Sequence, residues 1–358
     1  MADEILLDDI PDDGGTCVHV VADLDRSREV LDDSGNFRIA RFDEYVPGLS
    51  KSFFLAADMT DGAAAARCHK ELAAYLAPAR MPALIEAFGE GAREVVSLLP
   101  QGTSFDIVEE CLRPYGRRVA CALGGVTQEE GSTLLAALRY AAKLTAEGAD
   151  EHAIRQLQGW VWNRLHVAVA AGGPFDTPGL PRFALDRGNL SAREIALLTM
   201  PLFEMAAYGR NTSIAHMVLS EMHRGRLSTD ELHGESLRSV VSRGAALVKD
   251  LVITRVARND TVLHDVKIQA GDRVLVDVVT ANRQSLIESA QGEAKPHLAF
   301  GWGAHTCIAR ELSLQIAEII LTEIASRGTL TPVSDAADDR EESLRFIFEA
   351  YPGSHAAA

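Results

Sequence analysis

The stretch from His297 to Ala309, His-Leu-Ala-Phe-Gly-Trp-Gly-Ala-His-Thr-Cys-Ile-Ala, constrains the fold of this chain more than any other. Gly301 and Gly303 admit positive φ and close backbone approach, which predicts a tight loop pressed against a flat ligand. Apolar residues then recur at three- and four-residue spacing, Ile308, Leu312, Ile316, Ile319 and Ile320, so the loop is expected to run straight into an amphipathic helix. Cys307 would sit where loop becomes helix. The unpaired N–H groups and positive end of a helix start favour thiolate over thiol, which makes Cys307 a candidate metal ligand. A lone cysteine is more often a small buried hydrophobe. Here the neighbouring residues decide between the two.

Charge and cysteine usage narrow the function classes. Lys and Arg total 35 against 51 Asp and Glu, a formal charge of −16, which argues against a phosphate-backbone partner. No run reaches the ~18 apolar residues of a membrane span, and Met1-Ala2-Asp3-Glu4 lacks the basic region that opens a signal peptide. A soluble, cytoplasmic protein with no nucleic-acid or membrane partner is expected. Cys17, Cys68, Cys111, Cys121 and Cys307 are odd in number, scattered, and contain no Cys-x-x-Cys pair, as suits a reducing compartment.

Along the chain, residues 1–15 are acidic and end in Asp12-Asp13-Gly14-Gly15, a frayed leader by expectation. Cys17 to Val21 reads as a strand, Leu24 to Leu31 as a short helix, and Asp61 to Glu90 as helix broken by Pro78 and Pro82. Phe105 to Leu123, stopped by Gly124-Gly125, and Gln128 to Glu147 read as amphipathic helices. Trp160 and Trp162 lie in a third, where core packing is the favoured role. Ser191-Ala192-Arg193-Glu194 is a capping box opening a long apolar helix to about His223, with a kink expected at Pro201. A β-rich run follows, Leu251 to Ala257, Val262 to Ile268, a Gly271-Asp272 turn and Val274 to Val279. The end of the chain is a polar, acidic stretch, a short strand from Leu344 to Phe348 and a tail from Pro352.

Phe-Gly-x-Gly-x-His-x-Cys-x-Ala in the cysteine loop closely resembles the haem-binding loop of the cytochrome P450 family, whose usual form ends in Cys-x-Gly; Ala309 is a small-for-small departure. The resemblance implies a mainly α fold with small β-sheets, the P450-like haem-thiolate fold, as one haem domain over 16–358, N-terminally truncated because a helix and strand that relatives carry first are missing. It implies haem b with Cys307 as its axial thiolate. With no Cys-x-x-Cys-His, that haem would be bound non-covalently. His305 would hydrogen-bond a propionate, Phe300 would pack beside the sulfur, and Gly301 would let the loop approach the ring.

Further motifs arrive in the order the family shows. Tyr208-Gly209-Arg210-Asn211-Thr212 resembles the centre of the distal helix. Thr212 keeps the hydroxyl that helps deliver protons to bound dioxygen in relatives, whereas the neighbouring acid has become Asn211, an amide that orients water but cannot relay a proton near neutral pH. Arg210 reads most simply as an exposed helix-face arginine. Glu235-Ser236-Leu237-Arg238 resembles the family's ExxR, a buried structural pair. Arg255 stands at the place of a propionate-binding arginine. In the family's C helix, His-x-x-x-Arg binds the propionates; here Ala65 and His69 fall at those positions, so the motif is half lost, and Arg67 and Lys70 read as an exposed face, possible footing for a redox partner. Gln284 to Pro296 is shorter than the family's proline-rich meander.

The implied function is a monooxygenase-type oxidoreductase acting on a small organic molecule, in bacterial natural-product biosynthesis by analogy, with a ferredoxin-type redox partner. Haem-dependent coupling, dehydration or rearrangement, for which the missing acid is dispensable, and a degenerate haem-binding sensor or partner protein are the alternatives.

Overall fold

Alternating β-branched residues build the sheet at the centre of the first of two units into which the chain divides, Met1–Arg41 with Lys249–Cys307 and Phe42–Val248 with Ile308–Ala358. The structure is a computed structural model that describes residues 17–39, 63–146, 151–171, 179–208, 210–233, 236–249, 251–290, 296–333 and 344–352. The expected acidic leader, Glu235 and most of the C-terminal tail lie outside the described residues.

In the first unit, β1 (Val18–Val21), β2 (Phe37–Ile39), β4 (Val252–Ala257) and β7 (Arg273–Asp277) form a sheet in the order β1-β7-β4-β2. β1 runs parallel to β7 with Val20 opposite Leu275, and β4 runs antiparallel to both its neighbours, with Arg255 opposite Val274 and Ile39. α1 (Leu24–Asp32) starts where Asp23 accepts the Arg26 N–H at 2.9 Å. β5 (Thr261–Leu263) and β6 (Val266–Ile268) close a hairpin through His264 and Asp265, both at positive φ (44° and 69°), as a two-residue primed turn requires. Asp272 ties this unit together: its carboxylate accepts the backbone N–H of Cys17 at 2.9 Å and of Gln269 at 2.8 Å, and His19 Nε2 lies 3.0 Å away. Burial pushes the Asp272 carboxyl up, but those bonds outweigh it and hold the group below its ordinary value.

One expected strand is cut short in this unit. Val278 and Val279 belong to α11 (Val278–Ala290), not to a continued strand. Asp277 accepts the Thr280 N–H at 3.1 Å and its hydroxyl at 2.6 Å, so an N-terminal cap overrides the β-branched run Val-Asp-Val-Val-Thr.

The second unit is helical: α2 (Ala63–Tyr75), α3 (Met81–Ser97), α4 (Arg113–Gly124), α5 (Gln128–Ala146), α6 (Glu151–Ala170), α7 (Leu180–Arg187), α8 (Ala192–Tyr208), α9 (Arg210–His223), α10 (Ser236–Ala246) and α12 (Arg310–Arg327). Pro82, Pro114 and Pro181 each fall in a first turn, where a missing N–H costs nothing, so the break expected around Pro78 and Pro82 is a new helix start. Gly125 and Gly188, both at φ 64°, end α4 and α7 in the left-handed conformation. α4 lies so close to α8 that a Cβ on Gly124 would meet the Phe203 ring at 2.9 Å. The buried Tyr115 hydroxyl on α4 donates to Ile316 O of α12 at 3.2 Å, and Phe88, Phe203, Phe346 and Phe348 fill the core.

Two further expectations are corrected here. The segment from Phe105 is not one helix: β3 (Ser104–Asp106) and a π-helical turn, Val108–Leu112, precede α4. The long helix expected after Ser191 is present as α8 and α9, with α8 helical through Pro201. The segment around 330 carries a strand, β8 (Gly328–Pro332), which pairs antiparallel with β9 (Arg345–Ala350), whose other neighbour is β3. The Ser191 capping box is present, with Glu194 N donating to Ser191 Oγ at 3.2 Å and Ser191 N to Glu194 Oε2 at 2.9 Å.

Candidate functional site

The cysteine loop is a closed backbone turn held by its own hydrogen bonds. Cys307 N donates to Phe300 O at 2.7 Å, Gly301 N to Leu298 O at 2.9 Å, and Thr306 N and Oγ1 to Gly303 O at 3.1 and 2.9 Å. Gly301 (φ 73°) and Gly303 (φ 68°) take the left-handed conformation that closes it. Phe300 is buried, its ring 6.1 Å from that of His297, while His305 and Cys307 are half-buried. The helix that follows, α12, begins at Arg310 with Ala309 as its N-cap and no side-chain cap. Cys307 therefore stands two residues before the N-cap, where the loop gives way to the helix.

Residues that sequence reasoning did not single out brace this loop within the first unit. Asp32, at the end of α1, lies under Gly303, where an added Cβ would stand 2.9 Å from Asp32 Cα. The Arg28 guanidinium lies 4.8 Å above the Trp302 ring and donates to Pro296 O at 2.5 Å. From α11, the buried Asn282 accepts the Leu298 N–H at 2.6 Å. No local spacing signals these contacts, because all three residues are distant from the loop in sequence.

The other predicted residues are placed as follows. Arg255 is buried on β4, at 4% exposure, and Nη1 donates to Thr254 O at 3.3 Å. His69 is exposed on α2, beside Arg67, which bonds Glu194 at 2.6 Å. Thr212 is half-buried near the start of α9, and the backbone of Asn211 is helical, its side chain outside what is described. Arg238 donates to Glu318 at 2.8 Å and Glu311 at 2.5 Å on α12, and at 42% side-chain exposure it is not the buried residue expected. Trp160 is likewise 40% exposed, not core. With Thr133, Ala137, Tyr140, Gln156 and Leu157 it lines an open, mainly apolar groove of about 600 Å³ between α5 and α6.

The chemistry of the donor set suits a single axial ligand. None of the five cysteines is in a disulfide. Burial pushes the Cys111 thiol up to about 12 and Cys121 to about 11, and raises Cys68 as well, so these three are poor thiolates. Among the described residues no three His, Cys, Asp or Glu side chains gather as a metal-binding group. A half-buried sulfur on a glycine-bearing loop cannot cage an ion by itself, but it can complete a macrocycle that brings its own equatorial ligands. The residues present fit a haem.

No family model matches the chain. It is 26% identical over 250 residues to biflaviolin synthase CYP158A1 of Streptomyces coelicolor, covering 65% of this chain and 60% of that protein. It is 29% identical over 106 residues to 20-oxo-5-O-mycaminosyltylactone 23-monooxygenase of Streptomyces fradiae, covering 28% of this chain and 25% of that protein. The chain thus spans less than two thirds of the length of either curated relative. Its fold matches that of a mutant of P450 EryK in complex with erythromycin B with a TM-score of 0.76 at 17% identity, over 93% of this chain and 91% of that one. The chain thus has a mainly helical fold shared with solved P450 structures and resembles named P450 enzymes in sequence.

Proposed function

We propose that this protein is a haem-thiolate monooxygenase that oxidises a small organic molecule in natural-product biosynthesis, with residues 16–358 serving one haem b. The observation that carries the proposal is the closed cysteine loop, in which Cys307 N–H bonds Phe300 O across two left-handed glycines. The relatives' names support the substrate class: one is a biflaviolin synthase, another a mycaminosyltylactone monooxygenase. Among the described residues no helix is long and apolar enough to cross a membrane, which is compatible with a cytoplasmic enzyme fed by a ferredoxin-type donor.

When bound, haem supplies the dioxygen chemistry. This chain's residues do the rest. Cys307 would hold the iron through its thiolate, Phe300 would pack beside the sulfur, and Gly301 would keep the backbone bare of a Cβ that holds the loop away. His305, Arg255 and His69 would offer hydrogen-bond donors to the propionates. Thr212 holds a hydroxyl proton at Oγ1 for delivery, and Asn211 orients water without exchanging a proton of its own. Arg238 ties α10 to α12 through Glu311 and Glu318. The apolar groove with Tyr140 and Trp160 suits the flat face of an aromatic or polyketide-like substrate.

The reduced protein with carbon monoxide should show the red-shifted Soret band of a thiolate-bound haem, and Cys307→Ala should abolish it. An unchanged band in that variant would overturn the assignment.

A further inference from the structure

On α9 the polar residues are not scattered. At 100° per residue, Thr212, Ser213, His216, Ser220 and His223 fall within one narrow sector of the helix, while Ile214, Ala215, Met217, Val218, Leu219 and Met222 are buried around the rest. Thr212, His216 and Ser220 stand four apart and His223 three further on, so each side chain is the next one's neighbour along the face. Thr212, His216 and His223 are half-buried and Ser220 is buried. At the far end the His223 ring lies 3.1 Å from Val333 O through Nε2 and edge-on to Phe346, at 5.6 Å.

We propose that Thr212, His216, Ser220 and His223 form a proton-conducting stripe along α9, about 16 Å long by the helical rise, which does the work of the carboxylate absent at Asn211. The inference rests on the monooxygenase reading and goes beyond it by naming the proton source. Imidazole is the side chain that takes and releases a proton near neutral pH, and hydroxyls and intervening water carry protons between such groups. His223 takes a proton from solvent. One proton then passes by way of Ser220 to His216, and His216 gives one to Thr212 Oγ1 as the Thr212 hydroxyl releases its own to an adjoining water molecule. Each group ends in its starting protonation state, and no electron moves.

The one carboxylate on the helix beyond Asn211 is not a competitor. Glu221 is nine residues from Thr212 and so on the opposite face. It is also engaged there by Arg224 and Arg226 at 3.3 Å and by Arg243 at 3.9 Å.

The test uses the haem-loaded protein. In the reduced, carbon monoxide-bound, ¹⁵N-histidine-labelled form, Thr212→Val and Ser220→Ala should each move the imidazole signals of His216 and leave those of His264, on the β5–β6 turn, unchanged. With a surrogate ferredoxin, its reductase and NADPH, His216→Phe and His216→Gln should lower dioxygen consumption by about 10²-fold, while guaiacol oxidation driven by hydrogen peroxide, which brings its own protons, stays within about twofold. Adding Asn211→Asp to either variant should restore the dioxygen rate. Unmoved His216 signals, equal dioxygen rates in variant and wild type, or parallel loss of both activities would overturn the stripe. Absence of the thiolate carbon monoxide band in the wild type would instead overturn the haem reading beneath it.

Discussion

Gly303 and Gly301 look alike in sequence and carry unequal demands. Both sit in the left-handed region, where an L side chain costs about 1–2 kcal/mol. At Gly301 an added Cβ would meet His305 O at 3.3 Å, a contact relieved by a small shift. At Gly303 it would stand 2.9 Å from Asp32 Cα, a backbone atom of α1 that cannot rotate away. Gly303→Ala should therefore lower stability by at least about 2 kcal/mol, and Gly301→Ala by about half as much, read from urea unfolding midpoints. Equal effects would mean that Asp32 does not limit the loop. The glycines and the cysteine were legible because their meaning lies in backbone geometry and local spacing. Asp32, Arg28 and Asn282 were not, because nothing near them in sequence says which loop they will meet.

Two carboxylates decide how elements are held. Asp272 joins β1, β7 and the turn between β6 and β7, and its folded pKa lies below the ordinary value of about 3.9. Its stabilisation is complete above about pH 3.9 and is lost as pH falls through the folded value. Asp272→Asn should be less stable than wild type at pH 7, and its urea midpoint should fall less steeply between about pH 5 and pH 3. On α2, Glu71, 2% exposed, accepts Arg187 Nε at 2.6 Å and Asn189 Nδ2 at 2.8 Å and so fastens α2 to the end of α7. The Arg187 bond, with help from Asn189, holds the Glu71 carboxyl below its usual range against the cost of burial. Glu71→Gln should cost about 1.5–3 kcal/mol, less than a wholly buried pair, because the Arg187 side chain keeps access to water. Faster amide exchange confined to α2 and α7 would locate that loss. A uniform change over the second unit would speak against a local clamp.

At the scale of the whole molecule, the cysteines separate into structural and chemical sets. Cys68, Cys111 and Cys121 are buried thiols, Cys17 is exposed and Cys307 half-buried. A disulfide reagent at neutral pH should therefore find two fast thiols in haem-free protein, one once haem is bound, and all five on unfolding. Two fast thiols in both folded forms would place the haem elsewhere. The sequence by itself determined the cysteine loop, the order of its motifs, the Ser191 capping box and the glycine end of α4. Each is set by hydrogen bonds or dihedral limits among residues a few positions apart. Asp277 belongs with them in kind, yet the β-branched residues after it masked the cap, and only the structure shows a helix there. Tertiary structure alone decided that Arg238 binds Glu311 and Glu318, that β8 returns along β9, and that α1 lies beneath the cysteine loop. Those partners come from segments far apart in the chain, and only packing selects which of them meet.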